Sequence, residues 1–424
     1  MACLTLGLAS AQMASTRIAE ATETNLAAGV ESTVVLPSSA NALKVYTPVN
    51  YLPTQSWPAI FFYHGMGGAP DTTFIRNLTA GRDYFVVAMP YLEAPLPSAT
   101  RQDQQNYMQR ELTNLHAARA WLANHAHVDE TRVFLAGASK GGWTVTALAD
   151  LDPTRIAGMI VLLAGRTADL AGRQSLNGYL KMPIYIGTGE TDPNNIPARR
   201  AREFYRHNGA IVTFEEYAGL GHAYPSSPAS LTAWLDRHGR CHQNPLPPEV
   251  RNELTRQLST ALQSALAETA ALPGYNKLAA LAADPRIALC ESSLIGNLQN
   301  QLATARSTSP VKEEWVAETA FGDLLYRESS ITTLTEMKSV LTGFQNLGRT
   351  YPQTRYGKLA TQFSQQIEIS YQKSADATRK ANEGRKVVTK STPTITPTFP
   401  TDNSRPMAPV TKGNKIIFRP PGEH

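Results

Sequence analysis

Three cysteines in 424 residues, Cys3, Cys241 and Cys290, are too few for a disulfide framework. With Cys3 set aside, either one bridge joins Cys241 to Cys290 or both stay as unpaired buried thiols. The chain has no run of about 18 or more apolar residues, which excludes a membrane-spanning helix. Positive charge is scarce where a nucleic-acid groove would need it. The net charge is +5, yet residues 373–424 hold ten Lys/Arg against four acidic residues, so the rest of the chain is close to neutral. That distribution argues against a basic groove on the folded part, and no nucleic-acid partner is expected.

What is present suffices for more than one core. Apolar residues make up 42% of the chain, and its length suggests two or three folded units. The N-terminal stretch is apolar and ends in Ala9-Ser10-Ala11, as a secretory signal does at its cleavage site, although no Lys or Arg precedes it. Residues 1–28 are therefore either a signal remnant of a secreted or periplasmic protein or an ordinary disordered N-terminus, which leaves a cytoplasmic location open.

Over residues 29–240, strand-like and helix-like segments alternate, the pattern of a mostly parallel sheet flanked by helices. Seven strands are expected, at 42–46, 59–63, 85–90, 133–136, 158–163, 184–188 and 211–216. Most are unbroken apolar runs, which suits strands covered on both faces. The longest helix is expected at 103–125 and a closing helix at 231–238.

Pro245, Pro247 and Pro248 mark residues 241–248 as a linker, because proline neither continues a helix nor donates to a sheet. Beyond it, Leu254, Leu258, Leu262 and Leu266 recur every four residues with Ala261 and Ala265 beside them, one apolar helical stripe. Further helices are expected at 276–283, 292–305, 312–326, 332–347 and 356–374. The join Leu347–Tyr356 resembles that of tetratricopeptide-like repeats, in a single copy. Residues 249–374 thus read as an all-α accessory region. It either packs on the sheet domain or mediates contact with a protein partner or a second copy of the chain. Residues 375–424, centred on Thr392-Pro393-Thr394-Ile395-Thr396-Pro397-Thr398, read as a basic disordered tail, since they cannot bury enough apolar surface to offset their ordering entropy.

The strongest chemical signal is Gly137-Ala138-Ser139-Lys140-Gly141-Gly142, between the strand-like 133–136 and the helix-like 143–149. A serine nucleophile on a strained strand-to-helix turn needs small residues two positions to either side, where neighbouring backbone leaves no room for a Cβ. Such nucleophiles are followed in chain order by an acid and a histidine. The acid fits the turn Thr188-Gly189-Glu190-Thr191-Asp192-Pro193 at a strand end; Asp192 is preferred and Glu190 is the rival. The base fits Gly219-Leu220-Gly221-His222, on a loop after the last strand, where an imidazole can reach the serine. Upstream, Tyr63-His64-Gly65-Met66-Gly67-Gly68 ends a strand, and the backbone N–H groups of Met66 and Lys140 are the expected oxyanion donors. His64 is expected to support this loop by hydrogen bonding. Tyr63, Met66, Trp143 and Tyr224 adjoin these motifs and are candidates for substrate contact. No cofactor and no metal ion are called for.

Together with Val45-Tyr46-Thr47-Pro48 and Trp57-Pro58-Ala59-Ile60-Phe61-Phe62, these motifs make the first 240 or so residues resemble the secreted esterase branch of the α/β-hydrolases. That branch includes feruloyl and acetylxylan esterases, polyhydroxybutyrate depolymerases and dienelactone-hydrolase-like enzymes. The resemblance implies an α/β-hydrolase fold with Ser139 as nucleophile, Asp192 as acid, His222 as base, and Met66 and Lys140 at the oxyanion hole. It departs from that branch in having no obvious long lid insertion. The implied activity is that of a serine carboxylesterase acting on a small or polymeric ester through an acyl-enzyme, with peptide-bond cleavage as a variant on the same fold. The competing reading is a non-catalytic binding or scaffold protein in which the helical region and the basic tail do the work.

Overall fold

The structure, a computed structural model, describes residues 26–36, 41–94, 100–167, 176–226, 228–243 and 245–388. Eight strands form one sheet: β1 (Glu31–Val35), β2 (Ala42–Tyr46), β3 (Trp57–Tyr63), β4 (Phe85–Met89), β5 (Val128–Ala138), β6 (Gly158–Leu162), β7 (Pro183–Gly189) and β8 (Ile211–Tyr217). Their order is β1-β2-β4-β3-β5-β6-β7-β8. The pairs β1/β2 and β2/β4 are antiparallel, and all the others are parallel. This is the α/β-hydrolase arrangement.

Alternation along the strands sorts side chains to two faces. On β3, β4 and β5, residues Phe61, Tyr63, Val87, Met89, Val133 and Leu135 join the core under helices α2 (Arg101–His125), α3 (Lys140–Leu151) and α4 (Asn195–His207). Their neighbours Ile60, Phe62, Val86, Phe134 and Ala136 face the opposite way. There they meet α1 (Thr73–Leu78) and α5 (Ala229–His238) through Ile75, Leu231, Trp234 and Leu235. Both faces are covered, which is why β3 and β4 are apolar at every position.

The strand missing from the sequence reading is β1. It lies at the sheet edge and buries only Val34 fully, so its five residues carry almost no apolar periodicity. Strand β5 also begins earlier than expected, because Val128 pairs with Trp57 ahead of a register shift and the polar Asp129, Glu130 and Thr131 continue the strand.

Among the described residues six α-helices follow: α6 (Pro248–Leu266), α7 (Ala271–Ala282), α8 (Ser292–Ser307), α9 (Val311–Ser329), α10 (Leu334–Thr350) and α11 (Arg355–Val388). Leu254, Leu258 and Leu262 of the α6 stripe are buried against Leu278, Leu281, Leu294 and Leu298, whereas Leu266 at the helix end is exposed. A second core joins α9, α10 and α11 through Phe321, Leu325, Phe344 and Phe363. The 241–248 segment is tied down at both ends: Cys241 and Leu246 are buried in the α6–α8 core, and Arg286 pairs with Asp236 of α5 at 3.0 Å. Cys241 and Cys290 are both free thiols, which excludes a bridge between them.

The helical region packs on α4. Arg200 pairs with Glu328 at 2.6 Å, Arg202 with Glu318 at 3.2 Å, and the rings of His207 and Tyr326 stack at 3.7 Å. Helix α11 continues to Val388, past residue 375 where a disordered tail was expected. The remainder of that tail, and the signal-like segment up to residue 25, lie outside the described residues. Leu26 is already buried in the sheet core. Among the described residues no helix is long and apolar enough to cross a membrane.

Helix α5 closes one face with His238 tilted against Trp234 at 4.4 Å and against Phe134 at 5.7 Å. Burial, with Arg237 beside it, pushes this imidazole down to about 3. The folded protein therefore keeps His238 neutral over a range in which the unfolded chain, titrating near its usual value of about 6.5, takes up a proton. Stability contributed at neutral pH is lost as pH falls from about 6.5 toward 3, by up to ~1.4 kcal/mol per pH unit. Denaturant titrations at pH 7, 6 and 5 are expected to show a shallower acid loss for His238→Phe than for the wild type. Identical pH dependence in the two proteins would contradict this account.

Candidate active site

Strand β5 runs up the middle of the sheet and ends at Ala138, and α3 starts at Lys140. Ser139 between them has φ 52° and ψ −119°, a left-handed conformation that an L-residue holds only where its surroundings enforce it. The enforcement is visible. Ser139 N–H donates to Leu162 O on β6 at 2.9 Å, and Trp143 N–H donates back to Ser139 O at 3.1 Å. A Cβ on Gly137 or Gly141 would lie well under 3 Å from backbone, of Gly141 in the first case and of Tyr63 in the second. One on Gly142 would lie 2.5 Å from Ala164 Cβ. The glycines that frame the serine are thus where β3, β5, β6 and α3 come closest.

His222 lies on the loop after β8 and meets the serine from the side: its Nε2 is 2.9 Å from Ser139 Oγ. Its Nδ1 is 2.9 Å from Asp192 Oδ1. Asp192 is buried, and the same oxygen accepts the Asn194 N–H at 2.8 Å, which fixes the carboxylate's direction. Asn194 is itself anchored by donating from its side chain to Leu163 O at 2.8 Å. Glu190, the rival acid, points elsewhere and accepts the Gly219 N–H at 2.8 Å. With Asp192 Oδ1 accepting at Nδ1, the tautomer that carries its proton there leaves Nε2 free to accept from Ser139.

The loop after β3 lies over the same point. A Cβ on Gly65 would sit 3.6 Å from Ser139 Cβ, so its backbone passes directly above the serine. Met66, the next residue, is 72% exposed at the loop tip. His64 supports the loop, its Nδ1 lying 2.7 Å from Gly65 O. Lys140 opens α3, so its N–H has no partner within the helix and lies at the positive end of the helix dipole. The N–H groups of Met66 and Lys140 thus belong to the two chain segments that flank Ser139.

Of the other candidates, Trp143 is half-buried one turn into α3. Tyr224 is exposed, with its ring 4.6 Å from Phe74. Tyr63 is wholly buried, and burial drives its hydroxyl well above its usual value. It therefore belongs to the core beneath the site and not to its surface.

Two neighbours carried no motif. Tyr91, two residues beyond β4, donates to His64 O at 2.6 Å and lies under the Lys140 ammonium, 3.9 Å from its ring centre. Glu111 on α2 accepts the Leu92 N–H at 2.8 Å and so pins the segment that carries Tyr91. The one signal for Tyr91 was its place just past the C-terminal end of a parallel strand, where sheets of this kind gather their functional loops.

A serine on a tight turn after β5, an aspartate after β7 and a histidine after β8, on a sheet of this order, have the arrangement of the α/β-hydrolase fold. Residues 49–233 match the Dienelactone hydrolase family, so the likeness to dienelactone-hydrolase-like enzymes is shown for that stretch and supports a hydrolase of the esterase kind. No curated protein matches the chain. Among solved structures, the chain is similar to SOBER1 from Arabidopsis thaliana at 16% identity and TM-score 0.34, covering 43% of this chain and 99% of that one. It is similar to a CE1 ferulic acid esterase from Anaeromyces mucronatus at 14% identity and TM-score 0.34, covering 46% and 84%. A phospholipase/carboxylesterase from Dyadobacter fermentans overlaps at 15% identity and TM-score 0.34, covering 49% and 96%. Overlaps of this extent carry no argument about substrate.

The packing of the serine turn predicts unequal glycines. Gly141→Ala forces a Cβ into Tyr63 backbone and is expected to cost at least about 2 kcal/mol in urea unfolding. Gly67→Ala, at φ 74° with nothing within 4 Å, is expected to cost about 1 kcal/mol. Equal costs at the two positions would contradict the close packing described.

Proposed function

We propose that the chain is a serine carboxylic-ester hydrolase in which Ser139, His222 and Asp192 act as a triad through an acyl-enzyme. The observation that carries this reading is the single imidazole of His222, with one nitrogen 2.9 Å from Ser139 Oγ and the other 2.9 Å from Asp192 Oδ1. Ser139 Oγ attacks the ester carbonyl carbon while His222 Nε2 takes its proton. The carbonyl oxygen becomes an oxyanion, received by the N–H groups of Met66 and Lys140, each such donor being worth about 2.7 to 4 kcal/mol.

Collapse of the tetrahedral intermediate breaks the bond to the alcohol oxygen, which leaves with the proton from His222. Water then gives a proton to the same nitrogen and attacks the acyl carbon, and the acid departs as Ser139 regains its hydrogen. Asp192 does not take the proton. It stabilises the imidazolium that forms twice in each cycle and keeps the ring in place between turns. The exposed Met66 and Tyr224, the latter against Phe74, supply apolar surface beside the serine for the acyl or alcohol portion.

Hydrolysis of p-nitrophenyl acetate by the full chain is the test. Ser139→Ala is expected to lower kcat by at least about 10³-fold and Asp192→Asn by about 10²- to 10⁴-fold, both with little change in folding. Wild-type turnover in Ser139→Ala would sink the proposal.

A further inference from the structure

The acid turn and the histidine loop are locked to one another through backbone. Glu190 N–H donates to Tyr217 O at 2.9 Å, and Thr191 donates to Leu220 O from both its N–H, at 3.0 Å, and its hydroxyl, at 3.1 Å. A Cβ on Gly189 would lie well under 3 Å from Leu220 and Gly221 backbone. Any shift of the Asp192 turn therefore carries His222 with it.

The outer side of these two segments is held by the helical region. Arg355, the first residue of α11, pairs its guanidinium with Glu216 on β8, and the same nitrogen lies 3.8 Å from Glu190 Oε1. Glu190 Oε2 in turn holds the Gly219 N–H at the start of the histidine loop. Arg355 is set in place from α9, because its N–H donates to Glu314 Oε2 at 3.0 Å.

Its neighbour Tyr356 donates to Glu318 Oε1 at 3.1 Å and accepts from Arg199 Nη1 at 3.2 Å. Arg199, 1% exposed, also pairs with Glu216 and donates to Asn195 Oδ1 at 3.0 Å. Asn195 closes the circuit, donating from its amide to Gly189 O at 2.9 Å and to Glu216 Oε2 at 2.8 Å. Burial alone would raise the Glu216 carboxyl; Arg199, the Asn195 amide and Arg355 outweigh it and hold it below the usual carboxylate range. Glu216 is thus charged at neutral pH.

We infer that Arg355 is a positioning residue for the triad: by clamping Glu216 and Glu190 it holds the Asp192 turn and the His222 loop in register with Ser139, so that the helical region is part of the catalytic apparatus. The inference rests on the triad reading. A half-exposed ion pair contributes little to global stability. Its effect on turnover is larger, because small displacements of a reacting group weaken catalysis steeply.

The experiment uses the full chain as wild type, Arg355→Ala, Arg355→Lys and His207→Ala, the last removing the ring stack on Tyr326 where α9 docks on α4. Turnover of p-nitrophenyl acetate and amide hydrogen exchange over residues 187–194 and 217–223 are both measured. Arg355→Ala is expected to lower kcat by about 5- to 30-fold with KM within about 2-fold, and to speed exchange in both segments. Arg355→Lys is expected to recover part of each, and His207→Ala to change neither.

Unchanged exchange or unchanged kcat in Arg355→Ala overturns the inference. So does an equal loss in His207→Ala, which would mean that docking in general is what matters. If the wild type hydrolyses no ester, the triad reading fails by itself and exchange alone judges the clamp: faster exchange in Arg355→Ala supports it, and unchanged exchange overturns it.

Discussion

Ser139 sits at positive φ where four pieces of backbone meet, and the architecture around it follows from the need to keep it there. Such a residue costs about 1 to 3 kcal/mol, offset by its surroundings. Here the surroundings are the hydrogen bond from its N–H to Leu162 O and the close approach of Gly141 to Tyr63 and of Gly142 to Ala164. Each partner lies at the end of a strand adjoining β5, so the strain is held by the centre of the sheet. The loop after β3, which carries Met66, is brought over the serine by the same pairing that aligns Tyr63 with Gly137.

The other half of the site is held by polar contacts. Asp192 and His222 lie on turns after β7 and β8, where apolar packing gives way to solvent. Their geometry depends on Asn194, Asn195, Glu190 and Glu216, and through Arg355 and Arg199 on helices that begin far later in the chain. The Ser139 turn is thus held by close backbone packing and the Asp192 and His222 turns by polar contacts, and salt or substitution can loosen the second while leaving the first intact.

The sequence disclosed what depends on local pattern. Strands such as Trp57–Tyr63 and Phe85–Met89 are apolar throughout because they are covered twice, and Leu254, Leu258 and Leu262 announce a buried helix face. The serine turn was legible because close backbone contact demands glycine at fixed spacing, and the meeting of Asp192 and His222 with Ser139 because chain order is part of the pattern. Edge strand β1 was not, since one buried valine leaves no period to read. Nor was the role of Arg199-Arg200-Ala201-Arg202-Glu203, which on its own looks like a solvated helix face. Only the partners Glu216, Glu318 and Glu328 make it an interior surface, and pairing between residues so distant in sequence has no local signature. Tyr63 shows the converse: its place beside a motif suggested contact with substrate, whereas strand alternation puts its side chain in the core.

Catalysis through Ser139 requires a covalent bond to that one serine. The most direct measurement is peptide mapping by mass spectrometry after reaction of the full chain with an aryl fluorophosphonate, a reagent that phosphonylates activated serines. One adduct per chain is expected, on Ser139, formed in the wild type and lost in His222→Ala. An adduct on another serine, or undiminished labelling of Ser139 without His222, would contradict it.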